Sequence, residues 1–230
     1  MCTVVVRWSG GGPVRVLALR DELTSRPFDD PARWWPEFPD AVGGRDRAAG
    51  GTWCATDVRS GATALVLNRP QGQGAAPGAP SRGILPLLAA AYGADWREHV
   101  GVEGMAAFLL VLATPDRLVT WDVDGDAVRQ VEHPPGTVMV TSGNPEDRKA
   151  ERHLAAFQAA DAPEGWRGLL QTGPPADDPA ALVVRHERDG QVFATVFGEL
   201  IEAAPGRVRL SYSREPWTAR PWTDLSITDG

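Results

Sequence analysis

Apolar and β-branched residues occur in short runs along this chain, and segments rich in glycine or proline separate the runs. The first two runs are CTVVVRW at residues 2–8 and VRVLALRDE at residues 14–22, with SGGGP between them. β-Branched residues favour strands, and a glycine-rich segment between two such runs is typical of a hairpin turn. The pattern predicts an N-terminal β-hairpin with Cys2 as the first residue of its first strand.

The same pattern recurs further along the chain. GTWCATDV and ATALVLNRP, joined by RSG, predict a second hairpin over residues 51–70. Residues 105–142 begin with a continuous apolar run and then alternate, which predicts a buried strand followed by a meander. Three further strands are predicted from LVVRHE, QVFATVFGELI and VRLSYSRE near the end of the chain.

Only two segments have helical character. The first is ILPLLAAAYGADW, in which Pro86 suits the first turn. The second is NPEDRKAERHLAAFQAADA at residues 144–162, where Asn144 can cap the helix and the acidic residues that follow suit its N-terminus. The apolar side predicted for this second helix consists of Leu154, Ala155, Phe157 and Ala159.

Strands in runs, with two helical segments between them and no regular βαβ alternation, predict a layered α+β fold. No linker divides the chain into two cores, so we expect a single domain over residues 1–230. Residues 25–40, SRPFDDPARWWPEFPD, contain four prolines and are predicted to be irregular.

Composition narrows the classes of partner. The chain is 43% hydrophobic and 23% charged, with a net charge of −7 and Lys149 as its single lysine. No concentrated basic face is present, which argues against a nucleic-acid partner. The longest apolar run, residues 105–113, falls short of the roughly 20 residues of a membrane span, and no signal peptide is recognisable. We therefore expect a cytoplasmic protein with a small-molecule ligand; its oligomeric state is not predicted.

The residue types that bind metals are scattered. The two cysteines, Cys2 and Cys54, are expected to be free thiols in that compartment. The four histidines lie in separate elements without ligand spacing, and DVDGDAV at residues 122–128 lacks the remaining ligands of a calcium loop. We predict no metal site and no cofactor.

Cys2 stands directly behind the initiator methionine. Removal of Met1 would place a thiol and an α-amine on one residue, and the usual α-amine pKa of about 7.7 to 8.0 is low enough for it to accept a proton near neutral pH. One residue could then supply both the nucleophile and its base for acyl transfer. The alternative is that Cys2 is a small, inert first residue of a strand, and the MC pair alone does not decide between the two.

Several short sequence motifs in the first 70 residues resemble, in their order, those of a known protein family. MC is followed by Arg20-Asp21-Glu22, Ser25-Arg26-Pro27, GGTW at residues 50–53 and LNRP at residues 67–70. In this order they resemble the NRDE family, the transport-and-Golgi-organisation-2-like proteins. VTSGNPEDR, later in the chain, is similar to the family's Ser-Asn turn before a helix.

The resemblance implies an N-terminal nucleophile hydrolase fold, a four-layer αββα sandwich, and a catalytic set of Cys2, Arg20, Asp21 and Asn144. Arg20 would lower the pKa of the thiol, and Asp21 would orient the amine. Neighbouring strand residues face opposite ways, so Arg20 and Asp21 cannot both point at Cys2 without a bulge. The Asn of the family motif is Leu19 here.

Trp53 and Asn68 lie within the family blocks, and Trp34 and Trp35 lie in the proline-rich segment. We predict that these four residues bind the substrate, although the two loop tryptophans could equally anchor their segment to the body of the protein. The leading hypothesis is a cysteine hydrolase acting on a small hydrophobic amide or acyl substrate. The alternative is a carrier of haem or of a lipid or acyl ligand, without catalysis.

Overall fold

Strands dominate the structure and form two antiparallel sheets. The computed structural model describes residues 2–143, 148–171 and 175–229. Each sheet has seven strands within these residues, and every pairing between named strands is antiparallel. The named strands have no parallel pairing because the sequence has no βαβ units; the isolated bridge between Ala176 and Val184 is parallel.

The first sheet holds the N-terminal hairpin and the C-terminal strands. Its strands are β1 Thr3–Trp8, β2 Val14–Leu23, β10 Gly136–Thr141, β11 Arg185–Arg188, β12 Gln191–Ala204, β13 Arg207–Ser213 and β14 Thr223–Thr228. Their order across the sheet is β10, β1, β2, β12, β13, β14, and β11 pairs with the start of β12. The predicted N-terminal hairpin is present, with Thr3 opposite Leu19.

The second sheet follows chain order from one edge to the other. Its strands are β3 Phe28–Ala32, β4 Ala41–Asp46, β5 Cys54–Asp57, β6 Thr63–Asn68, β7 Phe108–Ala113, β8 Leu118–Asp124 and β9 Ala127–His133. The second predicted hairpin is β5 and β6, and the buried strand of the predicted meander is β7.

Two sequence-based expectations about strands were wrong. Residues 25–40 contain β3, which tolerates Pro31 because it is an edge strand whose pairing is irregular between Asp29 and Ala32. The predicted meander is divided between the sheets, since β10 leaves β9 and pairs with β1. Pro134 and Pro135 separate β9 from β10 and prevent a tight hairpin there.

In the part of the chain that the structure describes, three α-helices cover the outer faces of the sheets. They are α1 Leu85–Tyr92, α2 Lys149–Ala159 and α3 Glu164–Leu170, and 3-10 turns span Arg82–Ile84 and Gly93–Glu98. Helix α1 was predicted, with Pro86 in its first turn. In α2, Phe157 is buried and Leu154 partly buried as predicted, whereas Ala155 and Ala159 are exposed. Asn144, the predicted cap of this helix, lies outside the described residues.

Buried apolar side chains form three clusters that define the layers. One cluster lies between the sheets and includes Val16 of β2 and Val111 of β7. A second packs α1 against the second sheet, and the third packs Phe157 of α2 and Trp166 of α3 against Leu17 and its neighbours in the first sheet. The layers are thus helix, sheet, sheet, helix, as expected for an α+β sandwich. None of the helices in the described residues has the length and apolar content needed to cross a lipid bilayer.

Glu199 of β12 is a carboxyl group buried in this core. Trp53 Nε1 donates a hydrogen bond of 3.1 Å to Glu199 Oε1, and Cys54 lies beside the same carboxyl. Burial raises the pKa of Glu199 from 4.5 to about 7, because an apolar environment disfavours the ionised form. It also raises the pKa of the Cys54 thiol well above its ordinary value, so this cysteine is an inert core residue.

The raised pKa of Glu199 predicts a pH-dependent stability. Unfolding exposes the carboxyl and returns its pKa to about 4.5, so the stabilisation is fully present below that pH and is lost as the pH rises through about 7. The contribution of this group is about 3 kcal/mol. Urea denaturation of Glu199→Gln at a series of pH values should lack this loss, because the amide stays neutral and still accepts from Trp53.

The exposed Glu187 of β11 provides the control, since Glu187→Gln should keep the wild-type pH profile. A Glu199→Gln protein that loses stability between pH 4.5 and 7 as steeply as wild type would show that Glu199 is not the titrating group.

Candidate active site

A cavity of about 270 Å³ opens at the end of β2, and Cys2 lies in its wall. Arg20, Asp21, Trp53 and Asn68, all singled out from the sequence, line the same cavity. Most of the remaining lining residues are polar or charged; the set is completed by Glu22, Arg26, Asp46, Ala49, Thr52, Val66, Ser81, Arg82 and Gly83. The fold thus brings together residues from the N-terminal hairpin, from the GGTW and LNRP blocks, and from the 3-10 turn before α1.

The backbone of Cys2 is held by Ser142, which follows β10. The Cys2 nitrogen donates a hydrogen bond of 2.7 Å to Ser142 Oγ. Pairing of β10 with β1 brings Ser142, which is buried, to this position from 140 residues away along the chain. Sequence analysis missed this residue, although it stands in the quoted VTSGN turn, because only the asparagine of that turn was considered.

Arg20 and Asp21 lie next to each other on β2, and their side chains point to opposite faces of the sheet. Arg20 lies on the side of Cys2, over the ring of Trp53. The Asp21 carboxylate contacts Thr195 of β12 and Lys149 of α2, on the helix side. The pairing of β2 with its neighbour β12 is irregular here, since the register shifts between Thr195 and Phe197 of β12. The strand alternation predicted from the sequence therefore holds in β2.

The Arg20 guanidinium is almost fully buried, with 4% of its side chain exposed. Its Cζ lies 4.5 Å from the ring centroid of Trp53 and 5.1 Å from that of Phe28, which are distances of cation–π contacts. Nη2 lies 3.4 Å from Asp46 and 3.6 Å from Glu22. Burial lowers the pKa of Arg20 and the two carboxylates oppose that shift, so the group remains a cation fixed in the cavity wall.

Asp21 belongs to a buried polar cluster behind Cys2. Its Oδ1 accepts a 2.6 Å hydrogen bond from Thr195 Oγ1, and its Oδ2 lies 3.5 Å from Lys149 Nζ. Lys149 Nζ also donates to Thr3 Oγ1 at 3.1 Å. Both charged side chains are completely buried. The cluster therefore ties the first turn of α2 to β1, β2 and β12 directly next to Cys2.

Cys2 as a residue is partly exposed, but its thiol is buried, and this environment disfavours loss of the thiol proton. Burial raises the pKa of Cys2 above its ordinary value, and the negative charge of Asp21 raises it further. Arg20 lowers it, as the family resemblance implied, but burial outweighs that effect. The Asp21 carbonyl oxygen lies 4.0 Å from Sγ. A thiol in this environment needs a base to remove its proton before it attacks a carbonyl group.

The glycines of the GGTW block shape the far wall of the cavity. Gly50 has φ of +76°, a conformation that residues with side chains rarely adopt. A Cβ at Gly51 would lie 2.5 Å from the carbonyl carbon and oxygen of Gly83, and Thr52 donates a backbone hydrogen bond of 2.9 Å to that oxygen. Close backbone approach at Gly51 thus fixes the 3-10 turn that carries Arg82.

Two of the predicted site residues, Trp34 and Trp35, are not among the residues that line the cavity. Trp34 Nε1 donates to the Asp30 carbonyl, and its ring lies under Arg45. Trp35 Nε1 donates to the Gly50 carbonyl, and its ring packs against the α1 core. Both tryptophans anchor the proline-rich segment, as in the alternative weighed for them from the sequence. Asn144 lies outside the described residues.

Comparisons with known proteins identify the family. The family model described as Transport and Golgi organisation 2 matches residues 1–162, which include every motif block quoted above. The chain belongs to the Transport and Golgi organisation 2 family. None of the curated proteins matches the chain. Among solved structures, the Caenorhabditis elegans N-acylethanolamine-hydrolyzing acid amidase (NAAA) ortholog matches with a TM-score of 0.48 and 10% identity, covering 96% of this chain and 95% of that one.

The part of this family member beyond residue 162 also contributes to the site. Thr195 of β12 bonds the Asp21 carboxylate, and Glu199 of the same strand bonds Trp53. Each of these hydrogen bonds joins residues that are at least 146 positions apart in the sequence. In the described residues, no group of three or more His, Cys, Asp or Glu side chains is arranged to hold a metal ion.

The buried pair of Asp21 and Lys149 predicts a large effect of removing one charge. Lys149→Met should lower the free energy of unfolding by about 3 to 5 kcal/mol, because it leaves a buried carboxylate without its cation. Asp21→Asn combined with Lys149→Met should recover part of this loss, since neither charge then remains. Urea denaturation at neutral pH measures both effects.

Arg152→Met is the matched control, because Arg152 lies one turn along α2 in an exposed ion pair with Asp178. Its denaturation midpoint should equal that of wild type. If Lys149→Met were as stable as Arg152→Met, the buried pair would have no structural role.

Proposed function

We propose that this chain is an amide or acyl hydrolase that uses Cys2 as its N-terminal nucleophile after removal of Met1. The position of Cys2 carries the proposal. Cys2 lies at a cavity with Arg20 on the same side of the sheet, and its backbone nitrogen bonds Ser142. That nitrogen becomes the α-amine once Met1 is cleaved. The helix, sheet, sheet, helix layering is also the arrangement expected of N-terminal nucleophile hydrolases.

In the proposed reaction the α-amine of Cys2 accepts the thiol proton, and Sγ attacks the carbonyl carbon of the substrate. The bond between that carbon and the leaving group breaks while the ammonium returns the proton to the leaving nitrogen or oxygen. A thioester on Cys2 results, and water hydrolyses it with the amine again acting as the base. The raised pKa of the thiol is the reason that a base is needed, and the α-amine is placed next to it by covalent structure.

Two further residues have assigned roles. Arg20 supplies fixed positive charge beside the sulfur, which favours the thiolate during proton transfer. The Asn68 amide, at the cavity end of β6, is our choice for an oxyanion donor. Asn144, the fourth member of the predicted catalytic set, lies outside the described residues. Leu19, which replaces the asparagine of the family motif, packs in the core on the helix side, so the replacement takes no polar group from the cavity.

The cavity favours a different substrate from the one expected. A hydrophobic substrate was predicted on the assumption that Trp34 and Trp35 line the site, but the walls instead carry Arg20, Arg26 and Arg82 together with two carboxylates. A volume of about 270 Å³ accommodates a small molecule. We therefore assign a small polar amide or acyl compound as the substrate class.

Covalent labelling tests the role of Cys2. An alkyne-tagged β-lactone should acylate wild type on Cys2, and labelling should disappear in Cys2→Ala. Cys54→Ala should be labelled as wild type is, because Cys54 is 1% exposed and its pKa is raised well above its ordinary value. Mass spectrometry of the labelled peptide identifies the site, and circular dichroism verifies that each variant is folded.

Two results would contradict the proposal. One is equal labelling of wild type and folded Cys2→Ala. The other is wild type that resists the lactone but binds haem or a fatty acid saturably, with the same affinity in Cys2→Ala; that combination belongs to a carrier protein.

A further inference from the structure

Three guanidinium groups line the cavity, and two of them are paired with carboxylates. Arg26 Nε lies 2.6 Å from Asp46 and 3.8 Å from Glu22, and Arg20 contacts the same two carboxylates. Arg82 forms no ion pair within the described residues; its Nη1 donates instead to the Ala107 carbonyl at 2.8 Å. The third acid at the cavity, Asp21, has its carboxylate on the helix side with Lys149. Counted over the residues that the structure describes, the cavity therefore carries one more cation than anions.

Arg20 supplies a second and independent observation. Its side chain is 96% buried, and its Nη1 has no hydrogen-bond partner within the described part of the chain. A buried guanidinium nitrogen without a partner carries an energetic cost that a ligand oxygen can remove. Arg20 and Arg82 are both lining residues of the same cavity, so one bound molecule can contact both.

The position of Arg82 is fixed before any ligand arrives. The close approach of Gly51 to Gly83 sets the 3-10 turn, and the bond to Ala107 holds the guanidinium at one nitrogen. The other N–H groups of the Arg82 guanidinium can donate to a ligand. Because the guanidinium is planar, two of these N–H groups can bind the two oxygens of one carboxylate. Such a preorganised donor loses little conformational entropy on binding.

We propose that Arg82 is the anion-binding residue of this site and that the substrate is an amide or acyl compound bearing a carboxylate close to its scissile bond, as in an N-acyl amino acid. The small cavity places the carboxylate near the reacting carbonyl. The substrate class rests on the proposed hydrolase function, whereas the anion preference of the cavity does not.

Paired alkylating reagents test the anion preference at Cys2 without any turnover. Iodoacetate and iodoacetamide both transfer a carbon to sulfur with release of iodide, and they differ in one negative charge. We define the normalised ratio as the rate of iodoacetate divided by the rate of iodoacetamide at Cys2, divided by the same ratio for glutathione. This normalised ratio should be about ten, because 1.4 kcal/mol of binding to the carboxylate corresponds to a factor of ten. Arg82→Gln should bring this normalised ratio close to one, and Arg82→Lys should restore part of it.

Arg207→Gln is the matched control, because Arg207 is an exposed arginine at the far end of the first sheet, opposite Ala204. It should keep the wild-type ratio. Added salt should reduce the wild-type ratio and leave that of Arg82→Gln unchanged. Thermal melts of each variant confirm that the labelling rates refer to folded protein.

The outcomes separate this inference from the proposed function. A normalised ratio that is the same in wild type, Arg82→Gln and Arg207→Gln would overturn the anion site even if the β-lactone labels Cys2. A wild-type ratio near ten that falls in Arg82→Gln would support the anion site even if no amide is hydrolysed. Protection of Cys2 from iodoacetamide by N-acetylglycine, and not by N-acetylglycinamide, would support the carboxylate-bearing substrate class; equal protection by both would overturn it.

Discussion

Side chains of β2 alternate between the two faces of the first sheet, and this alternation determines how charge is distributed around Cys2. Arg20 faces the cavity and Asp21 faces the helices, so a cation and an anion are one residue apart without neutralising each other. The shift of register in β12 accommodates this end of β2 by giving Asp21 a partner in Thr195. A slip of one residue in β2 would exchange the two faces and remove the cation from the cavity.

Both charges are held by contacts that span the layers of the fold. Arg20 rests on the rings of Phe28 and Trp53 from the second sheet, and Trp53 in turn donates to Glu199 of the first sheet. Asp21 is bound from the opposite side by Lys149 of α2. The site is therefore rigid on both faces, which suits a group that must orient a nucleophile.

Local features of the sequence were sufficient to predict the N-terminal hairpin, the hairpin of β5 and β6, helix α1, and five of the residues that line the cavity. These depend on strand periodicity, turn composition and ordered family blocks within 70 residues. Ser142, Thr195 and Arg82 were missed because only strand pairing and the close approach of two glycines bring them to Cys2. Trp34 and Trp35 were predicted to bind the substrate because of their position in the sequence. In the structure Trp34 bonds the edge strand β3, and Trp35 packs against the core around α1.

Everything proposed for catalysis depends on a free α-amine at Cys2, since the buried thiol needs a base and the amine is that base. The intact mass of the protein purified from its native cells tests this directly. If Cys2 is the N-terminal nucleophile, the mass is lower than that of the full translated sequence by one methionine residue and includes no N-terminal modification. A mass that includes Met1, or an acetyl group on Cys2, would contradict it.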